Sequence, residues 1–565
     1  MTRRRAGLVV ACVYLALAVF VYVHLWADPS RRYLVDGGQD QHQWEWFFAV
    51  TARNLASWDS PLFTTLQNYP LGVNLMANTV MLGVSAPLAP VTLAFGPSAT
   101  WAIVLTGGLA GSAAAWYRLL SRHVVSSPVA AGVGGAFCAF APPIISHANA
   151  HPNFVVLFAI PLIIGRFLLL ARHRRVWRDG TVLGLLVTYQ IFLGEEVLLL
   201  AAAGLAVLAA GYAAARPDAA LAALRPLVAG TAVAAVVSLT LSGPALWFQF
   251  AGAQSYASLI HGPAGNDVQA LVSYAGRSLA GDAGVAAALS LNPTEQNAFF
   301  GWPLAVLVAG VAVWLRRIPV VLPLTLVVVV SAALSLGPEI TFYGEKSSYL
   351  GPWWWMSQLP LFESVLESRF TLVCVPAVGA LLAIAADRVL EMSWRGAPAR
   401  VLLGLALAEA LLPLAPKPLV AADRPDTPAF FTTGMWRSYV RPGRSLVPVP
   451  PPDAADATAL RWQIDAGLGF LLPEGYFVGP VGPDRQGAYG APPRPTASLL
   501  RDVRDSGEIP AIGPAEQAGM RTDLAYWRAD AVVLGPHEHQ DALLRTLTTL
   551  LGQPRFVGGV WVWDV

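Results

Sequence analysis

Charge is scarce in this chain. Only 13% of its 565 residues are Asp, Glu, Lys or Arg, about half the share usual in soluble proteins. That scarcity excludes a large soluble enzyme and a disordered chain alike. Cysteine is also rare: Cys12, Cys138 and Cys374 lie far apart, each inside an apolar run. Neither a disulfide framework nor a thiolate metal site is expected from them. The net charge of +2 leaves no basic field, so no nucleic acid is expected as a partner. The chain carries no P-loop, no GxGxxG after a strand, no HExxH and no GxSxG. It shows no repeat of fixed period and no heptad run. What it has instead is apolar length: 55% of residues are hydrophobic. That leaves an integral membrane protein.

A membrane-crossing helix needs roughly 20 apolar residues. Runs of that kind lie at 6–26, 99–119, 128–147, 153–171, 180–194, 197–215, 226–247, 301–315, 319–336, 369–386 and 400–415, which predicts about eleven spans. The first lacks a small-residue cleavage site and reads as an uncleaved helix. The segment 76–95 is apolar but broken by Pro87 and Pro90. Counting it as a span would place Arg172, Arg174, Arg175, Arg178, Arg316 and Arg317 outside, against the positive-inside bias. Read as re-entrant or surface-lying, it keeps every basic loop inside. The expectation is therefore a multi-pass plasma-membrane protein of mainly α class, N-terminus cytoplasmic, with residues 1–415 as the membrane domain. Residues 416–565, rich in Pro, Gly, Asp and Arg, read as a small extracytoplasmic α/β domain. Strands are expected there at 445–449, 531–534 and 556–563, and helices at 497–505 and 540–551.

The polar residues at the expected outer face then become informative. Asp36 and Asp40 follow the first helix, in a long outer loop at 27–98. From Gln43 to Trp58 the pattern, with Trp44, Trp46, Phe47 and Phe48, suits an amphipathic helix lying along the surface. Asn74 and Asn78 flank the proline-broken segment, where polar, non-helical backbone suggests a cavity rim. His147 and His151 are four residues apart and could bind metal. Pro152 and the lack of an HExxH carboxylate make a polar cap the simpler reading, so no metal site is expected. Glu195 and Glu196 sit at an outer turn between short spans, where buried acids usually face a bundle interior. Glu295 precedes the eighth span. Arg369 is the cation at the outer edge of the tenth, and its fork matches phosphate oxygens. Trp353, Trp354 and Trp355 read as an interfacial aromatic belt.

Taken in order, several short motifs resemble the GT-C superfamily of polytopic glycosyltransferases, in particular its actinobacterial branch. They are Gln39-Asp40-Gln41-His42-Gln43-Trp44, the stretch Tyr69 to Thr79, and Ala150-His151-Pro152-Asn153-Phe154. Gly194-Glu195-Glu196, Glu295 to Gly301, Ser368-Arg369-Phe370, Trp462-Gln463 and Pro473 to Phe477 complete the set. The resemblance implies a hexosyl- or pentosyltransferase that uses a polyprenyl-phosphate sugar on the outer face, with membrane lipids around it and a glycan or lipid as acceptor. Asp40 inherits the role of general base, with Asp36 as the fallback. Arg369 would hold the leaving phosphate. His151, Asn153, Glu195, Glu196, Glu295, Asn74 and Asn78 would line the substrate pocket. Many superfamily members carry an acid in the second outer loop, and here 147–153 has none. No cofactor follows with certainty, and a divalent cation stays open. Two other classes stay open as well: a flippase of lipid-linked saccharides, and a non-catalytic scaffold of wall assembly.

Overall fold

The computed structural model describes residues 3–173, 175–392 and 397–565. Arg174 of the expected basic loop at 172–178, and residues 393–396 of the one at 388–400, lie outside the described residues. The chain is mainly helical and divides into two compact units. The first comprises Met1–Gly37, Ala102–Gly243 and His261–Ala422; the second comprises Gly38–Trp101, Pro244–Ile260 and Asp423–Val565.

In the first unit the apolar runs are helices. Among the described residues, six helices are long and apolar enough to cross a membrane: Arg4–Val21, Pro97–His123, Pro152–Arg172, Glu195–Ala215, Pro217–Ala251 and Glu367–Glu391. The other five runs form helices of 13–16 residues at Pro128–Phe140, Val176–Ile191, Trp302–Trp314, Val321–Leu334 and Ala397–Leu411. At about 1.5 Å per residue these are near 20–24 Å long, short of the ~30 Å hydrocarbon core. Proline accounts for one of them: Pro142 and Pro143 end the helix begun at Pro128 and start a new turn. The broken segment is not a span. It folds as the short helices Leu82–Ser85 and Ala89–Phe95.

Helix Thr371–Glu391 is the axis of this unit, with 16 of its 21 residues buried. It packs on Pro128–Phe140 and Val321–Leu334. Small residues permit the approach to the first: a Cβ on Gly134 would stand 2.6 Å from the Gly379 carbonyl oxygen. Association in lipid relies on such close packing, because the lipid tails are as apolar as the helices.

The second unit holds a four-stranded sheet, β1 (Ser445–Val449), β2 (Ala529–Leu534), β3 (Arg555–Val557) and β4 (Val560–Asp564), in the order β3-β4-β2-β1. β1 and β2 are parallel, with Val449 opposite Leu534, while the other pairings are antiparallel. Both parallel strands are buried at every position, which is why residues 446–449 and 531–534 read as unbroken apolar runs rather than alternating ones. Helices Pro495–Ser506, Pro514–Tyr526 and Gln540–Leu551 bury Leu500, Leu524 and Leu543 against Val447, Val532 and Trp563.

The same unit contains helix Asp40–Ala56. The sequence suggested that this helix lies along a membrane surface, and the structure differs. Trp44, Trp46, Phe47 and Phe48 are all buried. Trp46 Nε1 donates 2.6 Å to Gln463 Oε1, whose amide nitrogen donates to the Leu66 and Phe470 carbonyls. The aromatic face is a core face because the tail supplies the polar partners that such rings need when buried.

Candidate active site

Four segments of the first unit converge on one guanidinium. Arg369 lies on the 3-10 turn Glu367–Phe370 that leads into helix Thr371–Glu391. Its Nη2 donates 2.5 Å to Glu295 Oε1, and its Nε reaches both oxygens of the same carboxylate at 3.2 and 3.3 Å. Its Nη1 donates 2.8 Å to Glu196 Oε2. The guanidinium also lies over the Phe154 ring, 4.7 Å from its centroid. Asn297 Nδ2 donates to Glu295 Oε2 at 2.7 Å and to Ser368 Oγ at 3.1 Å, which fixes the carboxylate from the other side. Burial alone would raise the Glu295 carboxyl, but Arg369 beside it holds the group well below the usual carboxylate range.

The histidines of the 147–153 turn complete this cluster. His147 stacks on Phe154 at 4.6 Å, and its Nδ1 shares a 2.9 Å hydrogen bond with His151 Nδ1. His151 Nδ1 lies 3.6 Å from Glu295 Oε1, and His147 Nε2 lies 3.9 Å from Glu295 Oε2. Asn153 is half-buried on the same turn. Glu195 and Glu196 are the first two residues of helix Glu195–Ala215, and Glu196 is the one that reaches Arg369. Sequence reasoning passed over His261, whose imidazole burial and the nearby Arg369 both push toward the neutral form. Nothing in its local sequence marks it.

Asp36 lies in the same unit, on the turn Val35–Gly37, where Arg277 Nε donates 2.5 Å to its carboxylate. That turn is pressed against the histidine segment, since a Cβ on Gly37 would stand 2.5 Å from the Asn149 carbonyl oxygen. Glycine is required there by close approach.

Asp40 belongs to the second unit and is the first residue of helix Asp40–Ala56. Tyr476 donates its hydroxyl to Asp40 Oδ1 at 2.6 Å. Asn74 and Asn78 are in this unit too, and both are buried. Asn74 Nδ2 donates to the Phe248 and Ala253 carbonyls, at 3.0 and 3.1 Å. Asn78 pairs with the Val478 backbone in both directions, at 2.6 and 2.9 Å. These amides act as pins between chain segments.

No family model and no curated protein sequence matches the chain. Solved structures do. A cryo-EM structure of the arabinofuranosyltransferase AftD from Mycobacteria superposes over 100% of this chain, with a TM-score of 0.56 at 15% identity. This chain spans only 40% of that one. A mutant of the same enzyme gives 0.55 at 14% identity, over 100% of this chain and 42% of that one. The apo oligosaccharyltransferase of Archaeoglobus fulgidus gives 0.49 at 13%, over 93% of this chain and 69% of that one.

The fold is that of the arabinofuranosyltransferase AftD. The turn at 147–153 carries no acid of its own, and Glu295 from elsewhere in the chain stands beside its histidines. His147, His151 and Glu295 each offer a ligand atom, all within 4.8 Å of one another. His147 Nε2 is buried with no hydrogen-bond partner among the described residues. Two imidazoles and a carboxylate are a donor set that suits a divalent transition ion. The carboxylate is 144 residues from the nearer histidine in sequence, so no local motif could have shown the group.

Proposed function

We propose that this chain is an integral membrane glycosyltransferase that moves a sugar from a polyprenyl-phosphate donor to a cell-envelope acceptor on the outer face of the plasma membrane. The observation that carries the reading is Arg369, 15% exposed at the start of an apolar helix and held between the Glu196 and Glu295 carboxylates, in a fold shared with the arabinofuranosyltransferase AftD. Glu295 is 4% exposed and fixed by Asn297, whereas Glu196 is 23% exposed. Glu196 therefore stands where a phosphate would go. A donor phosphate displaces it from Nη1, and the fork that now binds a carboxylate binds phosphate oxygens instead.

The chemistry follows from the residues. The acceptor hydroxyl attacks the anomeric carbon of the sugar and gives its proton to Asp40. The bond from that carbon to the phosphate oxygen breaks, and the polyprenyl phosphate leaves with the electron pair. Arg369 stabilises the charge that develops on the leaving oxygen. Asp40 is preferred over Asp36 as base because the Asp36 carboxylate is engaged by Arg277. If loaded, a divalent cation held by His147, His151 and Glu295 would add charge neutralisation at the phosphate. The other steps belong to the side chains named.

The test is transfer by the purified protein in lipid nanodiscs from a panel of polyprenyl-phosphate sugars, wild type beside Asp40→Asn. Consumption of one donor by wild type and a loss of about 10²–10⁴-fold in the variant is the expected result. A protein that consumes none of the donors, or an equally active variant, sinks the proposal.

A further inference from the structure

One hydrogen bond joins the proposed base to the far end of the sequence. The Tyr476 hydroxyl donates 2.6 Å to Asp40 Oδ1 across 436 residues of sequence. From this geometry we infer that Tyr476 is the positioning residue of Asp40, holding its carboxylate in the orientation in which it takes the acceptor proton. The inference rests on the assignment of Asp40 as base.

Asp40 needs such a partner. It follows Gly37 and Gly38, the latter at φ +53, where the backbone turns sharply and Cβ sterics give little guidance. It also opens a helix, where the first turn has no preceding turn to pack against. Tyr476, by contrast, is on a fastened strap. Its carbonyl accepts from Gln43 Nε2 at 3.0 Å, one helical turn along from Asp40. Two residues on, Val478 is held in both directions by Asn78. Four residues back, the Leu472 carbonyl accepts from the Tyr69 amide at 2.9 Å, and the Leu472 amide donates to the Leu66 carbonyl at 3.0 Å. A hydroxyl carried on that strap fixes one carboxylate oxygen in space, and so the direction of the other.

Tyr476 also suits the task chemically. Burial raises its phenol far above the ordinary value, and the neighbouring Asp40 raises it further. The hydroxyl therefore stays protonated and donates throughout any working pH. The proton of the acceptor goes to Asp40, and Tyr476 neither gains nor loses one. Misplacing a reacting group by about 1 Å costs up to ~10²-fold in rate, which sets the size of effect to look for.

The experiment compares wild type, Tyr476→Phe, Gln43→Ala and Asp40→Asn in nanodiscs, with the polyprenyl-phosphate sugar that wild type consumes. For Tyr476→Phe, kcat is expected to fall about 10- to 100-fold. Both KM values should stay within about twofold, and the melting temperature should be close to wild type. Gln43→Ala keeps the hydroxyl but loosens its strap, so a smaller fall in kcat of about 3- to 10-fold is expected from the same cause. If Tyr476→Phe fails to fold, Gln43→Ala still decides: an unchanged kcat there overturns the inference. Wild-type kcat in Tyr476→Phe overturns it too, while a loss in Asp40→Asn keeps the base. A raised kcat or a lowered acceptor KM in Tyr476→Phe would show the hydroxyl occupying the acceptor's place, and overturns positioning. Wild-type activity in Asp40→Asn, or no turnover by wild type, overturns the base assignment and this inference together.

Discussion

Two ion clusters, one in each unit, are inverted in stoichiometry. In the first unit a single guanidinium, Arg369, is shared by Glu196 and Glu295. In the second a single carboxylate, Glu45, is shared by Arg424 and Arg461, with Gln41 and Ser98 donating to it as well. The difference lies in what remains reachable. Glu45 is fully enclosed and accepts from four side chains, and Arg461 is also tied to Asp465. Around Arg369 one carboxylate is partly exposed and one imidazole nitrogen has no hydrogen-bond partner among the described residues. A saturated cluster stabilises, and an unsaturated one can exchange a partner for a ligand. The sites therefore separate by completeness rather than by charge content.

The sharpest way to break this comparison is to alter Arg369. Arg369→Lys keeps the charge and loses the fork, so transfer should fall by about 10²–10³-fold in the nanodisc assay. Glu45→Gln should do the opposite. It removes the carboxylate that both guanidiniums share, costing about 3–5 kcal/mol of stability in chemical unfolding, with transfer per folded molecule retained. If Glu45→Gln were as stable as wild type but inactive, the distinction between the clusters would be wrong. Glu196→Gln should act more gently. With the competing carboxylate neutralised, the donor KM should drop by about fivefold, the equivalent of ~1 kcal/mol.

The smallest effects are those of pH. Arg424 and Arg461 hold Glu45 at about 2 against the cost of its burial, so the unfolded chain binds its proton first as pH falls. The stability from this pair is present above pH ~4.5 and is lost as pH falls toward 2. Glu474 runs the other way, because burial pushes it up to about 7 despite Arg501 nearby. The unfolded chain ionises this group first, so stability declines as pH rises from about 4.5 to 7 and then levels off. Thermal unfolding of wild type and Glu474→Gln across that window should show the slope in wild type and a flatter profile in the variant.

Much of the fold was legible because it is written in runs. The helices begin and end near the apolar segments, and strand Ser445–Val449 and helix Gln540–Leu551 fall on their expected residues. The candidate site was legible only as a roster. Glu196, Glu295, His151 and Arg369 stood out because charge is costly near lipid. Their convergence was hidden, since Arg369 meets partners 74 and 173 residues away. Helix Asp40–Ala56 misled for a related reason. Its tryptophans and phenylalanines fit a membrane interface as well as a core, and the partner that decides, Gln463, is 417 residues further along.

That long reach has a consequence for how the protein is made. Glu45 meets Arg424 and Arg461 only after 379 and 416 further residues have been added. At the usual ~5–20 residues per second, the ribosome takes about 20–80 s to supply them. For that interval the Glu45 carboxylate has Gln41 and Ser98 within reach but neither of its guanidiniums. Its burial is among the last events of synthesis, and a chain interrupted before Arg461 would hold one half of the pairing without the other.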